Sequence, residues 1–206
     1  MKQPKSAVVL ANGTFPNNDI TLEILNGASF LVCCDGAANN ISQHNITPNI
    51  IIGDGDSLAG QLKELYKDII ISVEDQETND LTKAVLYLIE QEYTHITILG
   101  GTGKREDHTI GNIGLLMDYL DLCNIKMVTE YGVFYPCNKD FQYKGKIGQQ
   151  LSIYNFGYSQ IEADGLVYPV RAFQKWWEGT LNEICSEEVT IRTDGKFLVF
   201  ITHDVK

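Results

Sequence analysis

Apolar residues in this chain fall first into short unbroken runs and later into alternation. SAVVLA at 6–11, FLVCC at 30–34, III at 50–52, IIISV at 69–73 and ITIL at 96–99 have the length of strands covered on both faces. Between them the spacing predicts short helices over 20–25, 37–43 and 61–66, the third capped by Ser57. The most regular helix is predicted over 79–92, where Leu81, Ala84, Val85, Leu88 and Ile89 share one face, and another over 112–119. Strands alternating with helices imply a mostly parallel sheet. From about Lys126 the pattern changes to strands alone, expected at 127–136, 150–156, 166–170, 189–192 and 196–203, with Asp194-Gly195 marking a hairpin between the last two. The expected architecture is α/β: an N-terminal three-layer domain over 1–125, then a C-terminal all-β sandwich domain over 126–206.

The strand ends carry the candidate chemistry. The run at 50–52 stops at Gly53-Asp54-Gly55-Asp56, where two carboxylates separated by a flexible glycine can turn toward one cation. Asp35 follows the run at 30–34, Asp80 opens the helix after 69–73, and Asp107 follows 96–99 in GGTGKREDH. Ligands of an open parallel sheet bind beyond the carboxyl ends of its strands, so these five aspartates are expected to converge. Each aspartate alone is an ordinary turn former or helix cap; the set points to magnesium. Lys83, three residues after Asp80, lies on the same side of the first helical turn, and Lys104 and Arg105 add local positive charge. His108 is as compatible with helix capping as with proton transfer.

Charge and cysteine content narrow the classes. Lys and Arg number 16 against 27 acids, a net charge of −11, which disfavours general binding to nucleic acid. An acidic chain that handles phosphate does so locally, with metal. No apolar run approaches the roughly 20 residues of a membrane span, no secretory leader is apparent, and the chain is expected to be cytoplasmic. Its five cysteines lack C-x-x-C spacing and read as free thiols. Gly103-Lys104 lacks the remainder of a P-loop, and the first strand lacks a dinucleotide fingerprint. Trp176 and Trp177 stand in a polar stretch, where one can anchor the β half or stack on a flat ligand; Trp177 is the stacking candidate.

DGAAN at 35–39, GDGDS at 53–57, QETNDLTK at 76–83, GTGKREDH at 101–108 and GTLNE at 179–183, in this order and spacing, resemble thiamine pyrophosphokinases over nearly the whole chain. The resemblance implies an ATP-binding α/β domain, a thiamine-binding β-sandwich and a homodimer with thiamine sites between subunits. It implies magnesium-dependent transfer of a pyrophosphoryl group from ATP to the hydroxyethyl oxygen of thiamine, giving thiamine diphosphate and AMP. Asp54, Asp56 and Asp80 match the metal-binding acids, and Asp35 completes the catalytic acidic cluster. Gln76, Lys83, Arg105 and Asp107 match positions that handle phosphates or shape their loop, and Asn182 matches the part that holds thiamine. Either Asp56 or Asp35 is placed to accept the alcohol proton.

Three positions depart from the family pattern: Gly55 replaces a bulky apolar residue, Asn79 a threonine and Leu181 a serine. Leucine at 181 removes a hydroxyl from the acceptor region. Two rival readings share the acidic cluster. One is a magnesium phosphohydrolase with Asp54 as nucleophile, disfavoured because two strands precede the dyad; the other is a non-catalytic nucleotide or thiamine binder.

Overall fold

The computed structural model describes residues 4–54, 57–73, 75 and 77–205, so Asp56 and Gln76 lie outside the described residues. The chain forms two compact units, one of Met1–Leu115 with Asp121–Glu130 and one of Leu116–Leu120 with Tyr131–Lys206. Their division after Glu130 falls later than the expected boundary at 125. Residues 124–128 form a parallel strand of the first unit instead of opening the β half.

The first unit contains β1 (Ser6–Leu10), α1 (Asp19–Asn26), β2 (Leu31–Cys34), α2 (Asp35–Ile41), β3 (Ile50–Gly53), α3 (Gly60–Leu65) and β4 (Ile70–Ser72). It continues with α4 (Asp80–Glu90), β5 (His95–Leu99), α5 (Glu106–Tyr119), whose last turn belongs to the second unit, and β6 (Asn124–Val128). The strands pair in parallel in the order β6-β5-β1-β2-β3-β4. Right-handed crossovers put the helices leading outward from β1 to β4 on one face. The return from β4 to β5 puts α4 on the other, giving three layers. Burial agrees: β2 is buried at every residue, and β1 at all but its first. The strand order reverses between β1 and β5, the kind of switch point where α/β sheets open a crevice.

Local chemistry explains most of the helix limits. Asn79 caps α4, its side chain accepting from the Thr82 N–H at 2.9 Å. Ser57, expected to cap α3, does not; Ala59 occupies that position without a side-chain cap. Helix α5 begins at Glu106, earlier than the expected 112, and takes Asp107 and His108 into its first turn.

The second unit contains β7 (Gly132–Lys144), β8 (Gln149–Asn155), β9 (Ile161–Asp164), β10 (Gly179–Glu183) and β11 (Glu188–Val205). The expected strand at 127–136 is two elements, β6 and β7, and that at 166–170 reduces to a single bridge between Leu166 and Ile184. The expected hairpin at Asp194-Gly195 is also replaced. β11 runs straight through, pairing with β7 on both sides of a bulge, Arg192 opposite Asp140 and Lys196 opposite Asn138. The first half of β11 pairs with β9 and the second with β8, so the two halves fold over one core containing Leu151, Ile153, Phe173, Ile191 and Phe197. Asp194 serves the bulge: its carboxylate accepts from the Ser159 hydroxyl and from the N–H groups of Ser159 and Gln160.

These donors hold Asp194 at about 2, below its usual 3.8, the Ser159 hydroxyl acting most strongly. A depressed folded-state value means that its contribution is present above 3.8 and is lost as the pH falls through about 2. Asp194→Asn is expected to flatten the pH dependence of stability in that window. Denaturant titrations at pH 4.5 and 2.5 check this; an unchanged difference between the two would exclude a role for the carboxylate charge.

Candidate active site

Beyond the carboxyl ends of β1, β2, β3 and β5, the first unit holds a cleft of about 290 Å³. Its floor carries Cys34 and Asp35, one wall Asn79 and Asp80, and the other Asn12, Gly13, Gly103, Lys104 and Arg105. The loops after β1 and β5 are stitched together, Gly13 N–H donating to Gly100 O at 2.7 Å and Thr14 N–H to Thr102 O at 2.8 Å. A Cβ on Gly13 would sit 2.2 Å from the Thr102 carbonyl oxygen, so only glycine lets the two backbones meet.

Asp35 is 2% exposed and opens α2 directly from β2. Its carboxylate accepts from the Ser57 N–H at 3.3 Å. Burial pushes its pKa up, and Asp80 and Asp54 push the same way against the opposing Ser57 N–H. Gly53 leaves the space that Asp35 fills: a Cβ there would lie 2.7 Å from the Asp35 Cβ and 2.9 Å from its Cγ. Asn39, one helical turn along α2, donates to Ser57 O at 2.7 Å and accepts from Ala59 N–H at 2.9 Å. Helix α2 therefore fixes the downstream end of the Asp54 loop with two side chains.

Asp80 meets Lys83 across the first turn of α4, Nζ to Oδ1 at 3.3 Å, as the spacing implies. The Lys83 side chain is only 5% exposed, so this ammonium meets Asp80 from inside the protein. Burial, reinforced by Asp80, Cys33 and Asp35, pushes the Cys34 thiol well above its ordinary range and keeps it protonated. Asp54 is exposed beside this group, and its charge is felt at Asp35. Asp35, Asp54 and Asp80 thus share one electrostatic neighbourhood, with the buried Lys83 ammonium paired to Asp80.

Asp107 has a different partner. It grips Arg105 through two bonds, Nε to Oδ1 at 3.1 Å and the terminal nitrogen to Oδ2 at 2.5 Å, which hold the carboxyl at about 2. Its place in the first turn of α5 makes it a support for Arg105. Its backbone neighbour His108 lines the cleft.

Several cleft residues escaped the sequence reading. Asn12 accepts from Lys104 Nζ at 2.8 Å, and Asn112 ties α5 to the β5 loop by donating to Gly101 O at 2.8 Å. Neutral amides carry little signal in a sequence; Asn12 immediately following a buried strand was the available one.

In the second unit Asn182 is 7% exposed and its amide is engaged at both ends with Tyr168, accepting from its N–H at 3.0 Å and donating to its carbonyl at 2.9 Å. The amide positions the segment around Tyr168 against β10. Leu181 has φ +64 at the β10 bulge and is 68% exposed. Neither tryptophan is a core anchor: Trp176 stacks on Tyr154 at 5.5 Å, Trp177 lies under the Lys175 ammonium at 5.7 Å, and both are exposed. Phe173 and Phe197 fill the core instead.

Magnesium fits this donor set in one particular way. Among the described residues no three His, Cys, Asp or Glu side chains form a ready-made metal cluster. Hard carboxylate oxygens lining a cleft suit a cation held by one or two acids and completed by phosphate oxygens and water, the usual habit of magnesium.

The family model for the thiamin pyrophosphokinase catalytic domain matches residues 21–128. That for the thiamin pyrophosphokinase substrate-binding domain matches residues 132–200. The chain belongs to the thiamine pyrophosphokinase family. Thiamin pyrophosphokinase 1 of Caenorhabditis elegans is 33% identical over 105 residues, covering 47% of this chain and 43% of that protein. Thiamine pyrophosphokinase 1 of Oryza sativa is 28% identical over 153 residues, covering 62% of this chain and 57% of that one. The matched part spans about half the length of these family members. The thiamin pyrophosphokinase structure from Candida albicans superposes with a TM-score of 0.83 at 16% identity, covering 98% of this chain and 90% of that one. The thiamine pyrophosphokinase structure from Bacillus subtilis gives 0.80 at 19% identity, with 96% and 98% covered. At these identities the superpositions establish the α/β-plus-β fold of the family.

Proposed function

We propose that this chain is a thiamine diphosphokinase, transferring the pyrophosphoryl group of ATP to the hydroxyethyl oxygen of thiamine to give thiamine diphosphate and AMP. The observation that carries the reading is the arrangement of Asp35, Asp54, Asp80 and the buried Lys83 at the strand ends, facing a wall that presents Lys104 and Arg105. Phosphoryl and pyrophosphoryl transfers require in-line positioning and neutralisation of oxygen charge more than covalent assistance. Lys83 and Arg105 supply fixed positive charge, with Arg105 aimed by Asp107. Gln76 belongs to the same phosphate-handling set, which family membership supports. Asp54, Asp56 and Asp80 would hold magnesium, which when bound would neutralise phosphate oxygens. Asp35 or Asp56 would accept the alcohol proton; of the two, Asp35 is described, buried at the cleft with its pKa pushed upward by that burial.

Thiamine is assigned to the β unit, where Trp177 and the strand pinned by Asn182 offer aromatic and backbone surface. The exposed apolar side chains Tyr168, Trp176, Trp177 and Leu181 support a homodimer with thiamine sites between subunits. No described helix is long and apolar enough to cross a membrane, and the described cysteines are free thiols. The free thiols support action in the reducing cytoplasm.

Incubation of the purified chain with ATP, magnesium and thiamine is expected to give thiamine diphosphate and AMP in equal amounts, both lost in EDTA. Chromatography of all nucleotide and thiamine species checks this. Release of inorganic phosphate without thiamine diphosphate would favour hydrolysis, and no turnover would leave a binding protein.

A further inference from the structure

Among the described residues Lys83, Lys104 and Arg105 stand at or beside the cleft, and their charges are handled differently. Lys83 is buried against Asp80, and Arg105 is bound by both oxygens of Asp107. Lys104 meets a neutral partner, its ammonium donating to the Asn12 carboxamide oxygen at 2.8 Å. An amide oxygen orients an ammonium without cancelling its charge, and among the described residues no other acceptor takes the remaining two N–H donors. Asn12 is itself held: a Cβ on Gly36 at the start of α2 would lie 2.1 Å from Asn12 Nδ2, so the carboxamide packs directly on that backbone.

The backbone at Lys104 is unusual for its residue type. Its φ is +60, directly after Gly103 at +79, a left-handed turn that glycine or asparagine adopts more readily than a long side chain. A lysine kept there reaches along this wall to the β1 loop, where Asn12 receives it. Backbone turn, amide partner and position on the cleft wall together place a charge-bearing, partly unsatisfied donor where an anionic ligand would enter.

We propose that Lys104, oriented by Asn12, is a further binding residue of this cleft that takes a phosphate oxygen of the nucleoside triphosphate. The proposal rests on reading the cleft as the ATP site. It distinguishes Lys104 from Arg105, whose guanidinium must share itself with Asp107.

The test compares Lys104→Gly, which suits the left-handed backbone and removes the ammonium, with Lys104→Arg, which retains the charge. Calorimetric titration of the full chain with ATP and with adenosine is expected to show ATP affinity falling about tenfold to a hundredfold in Lys104→Gly, the range of a hydrogen bond to a charged group. Adenosine affinity should not change, and Lys104→Arg should recover most of the loss. The melting temperature of Lys104→Gly should equal or exceed that of the parent, separating lost binding from lost fold. In the transferase assay the ATP KM should rise while the thiamine KM stays constant. Unchanged ATP affinity in Lys104→Gly, or equal weakening of ATP and adenosine, would overturn the assignment. If the parent binds ATP but forms no thiamine diphosphate, the proposed activity fails while Lys104 is still decided by the ATP titrations; if it binds no ATP, both fall.

Discussion

Asp80→Asn is expected to lower the rate of thiamine diphosphate formation by about 10² to 10³, the loss typical of removing one preorganised charge contact, roughly two to four kcal/mol of barrier. Asp80 is singled out because it does two things from the first turn of α4. It adds its charge to the patch shared with Asp35 and Asp54, and it meets the otherwise enclosed Lys83 at 3.3 Å. Asparagine keeps an Oδ1 acceptor for Lys83 and fits the same space, so the circular dichroism spectrum should be unchanged and the melting temperature close to the parent value. The magnesium concentration for half-maximal rate should rise, since the cation would lose a carboxylate. Steady-state rates across a magnesium titration, beside a thermal melt, check both expectations. Near-parental turnover in a folded variant would remove Asp80 from the charge-handling machinery. Asp107→Asn provides a contrast: it loosens Arg105 at an exposed position, and its effect should fall mainly on the ATP KM.

Gly53→Ala is expected to damage both stability and activity although it adds a single methyl group to a residue with no side chain. The new Cβ would stand 2.7 Å from the Asp35 Cβ and 2.9 Å from its Cγ, distances that side-chain atoms do not tolerate. Asp35 is boxed in by burial and by its bond from Ser57, so the collision must move the start of α2 or the end of β3. Overpacking of this kind costs about 1 to 3 kcal/mol, enough to lower the melting temperature by several degrees. Any shift of β3 also displaces Asp54, the next residue, so the transferase rate should fall even well below the melting temperature. Urea unfolding and rate measurements at 20 °C separate the two effects. Parental stability would mean that Asp35 has another rotamer available and that the packing at Gly53 is not restrictive.

Much of the α/β unit follows from local pattern. Unbroken apolar runs specify strands buried on both faces, and the alternation of strand and helix specifies a parallel sheet, since a parallel pair requires a crossover between its strands. The position of Asp35, Asp54 and Asp80 at strand ends or helix starts is visible for the same reason, as is the Asp80–Lys83 contact, a consequence of helical spacing. The β half was less legible. Asp194-Gly195 carries the local signature of a tight turn, yet β7 continues alongside both halves of β11, and the ladder bonds of a long antiparallel pair outweigh a two-residue preference. Asp194 then stabilises a bulge by capping a loop some 35 residues away in sequence, an arrangement no local window contains.

The sequence by itself determined the family, the order of the elements and the acids at the strand ends, because each depends on residue type and short spacing. The tertiary structure alone decided how the charges are matched. It paired Asp107 with Arg105, enclosed Lys83 beneath Asp80, engaged Asn182 with Tyr168, and brought Asn12 to Lys104 across 92 positions of chain. Electrostatic pairing depends on distances between side chains that folding brings together, and those distances are fixed only when the strands have taken their order in the sheet.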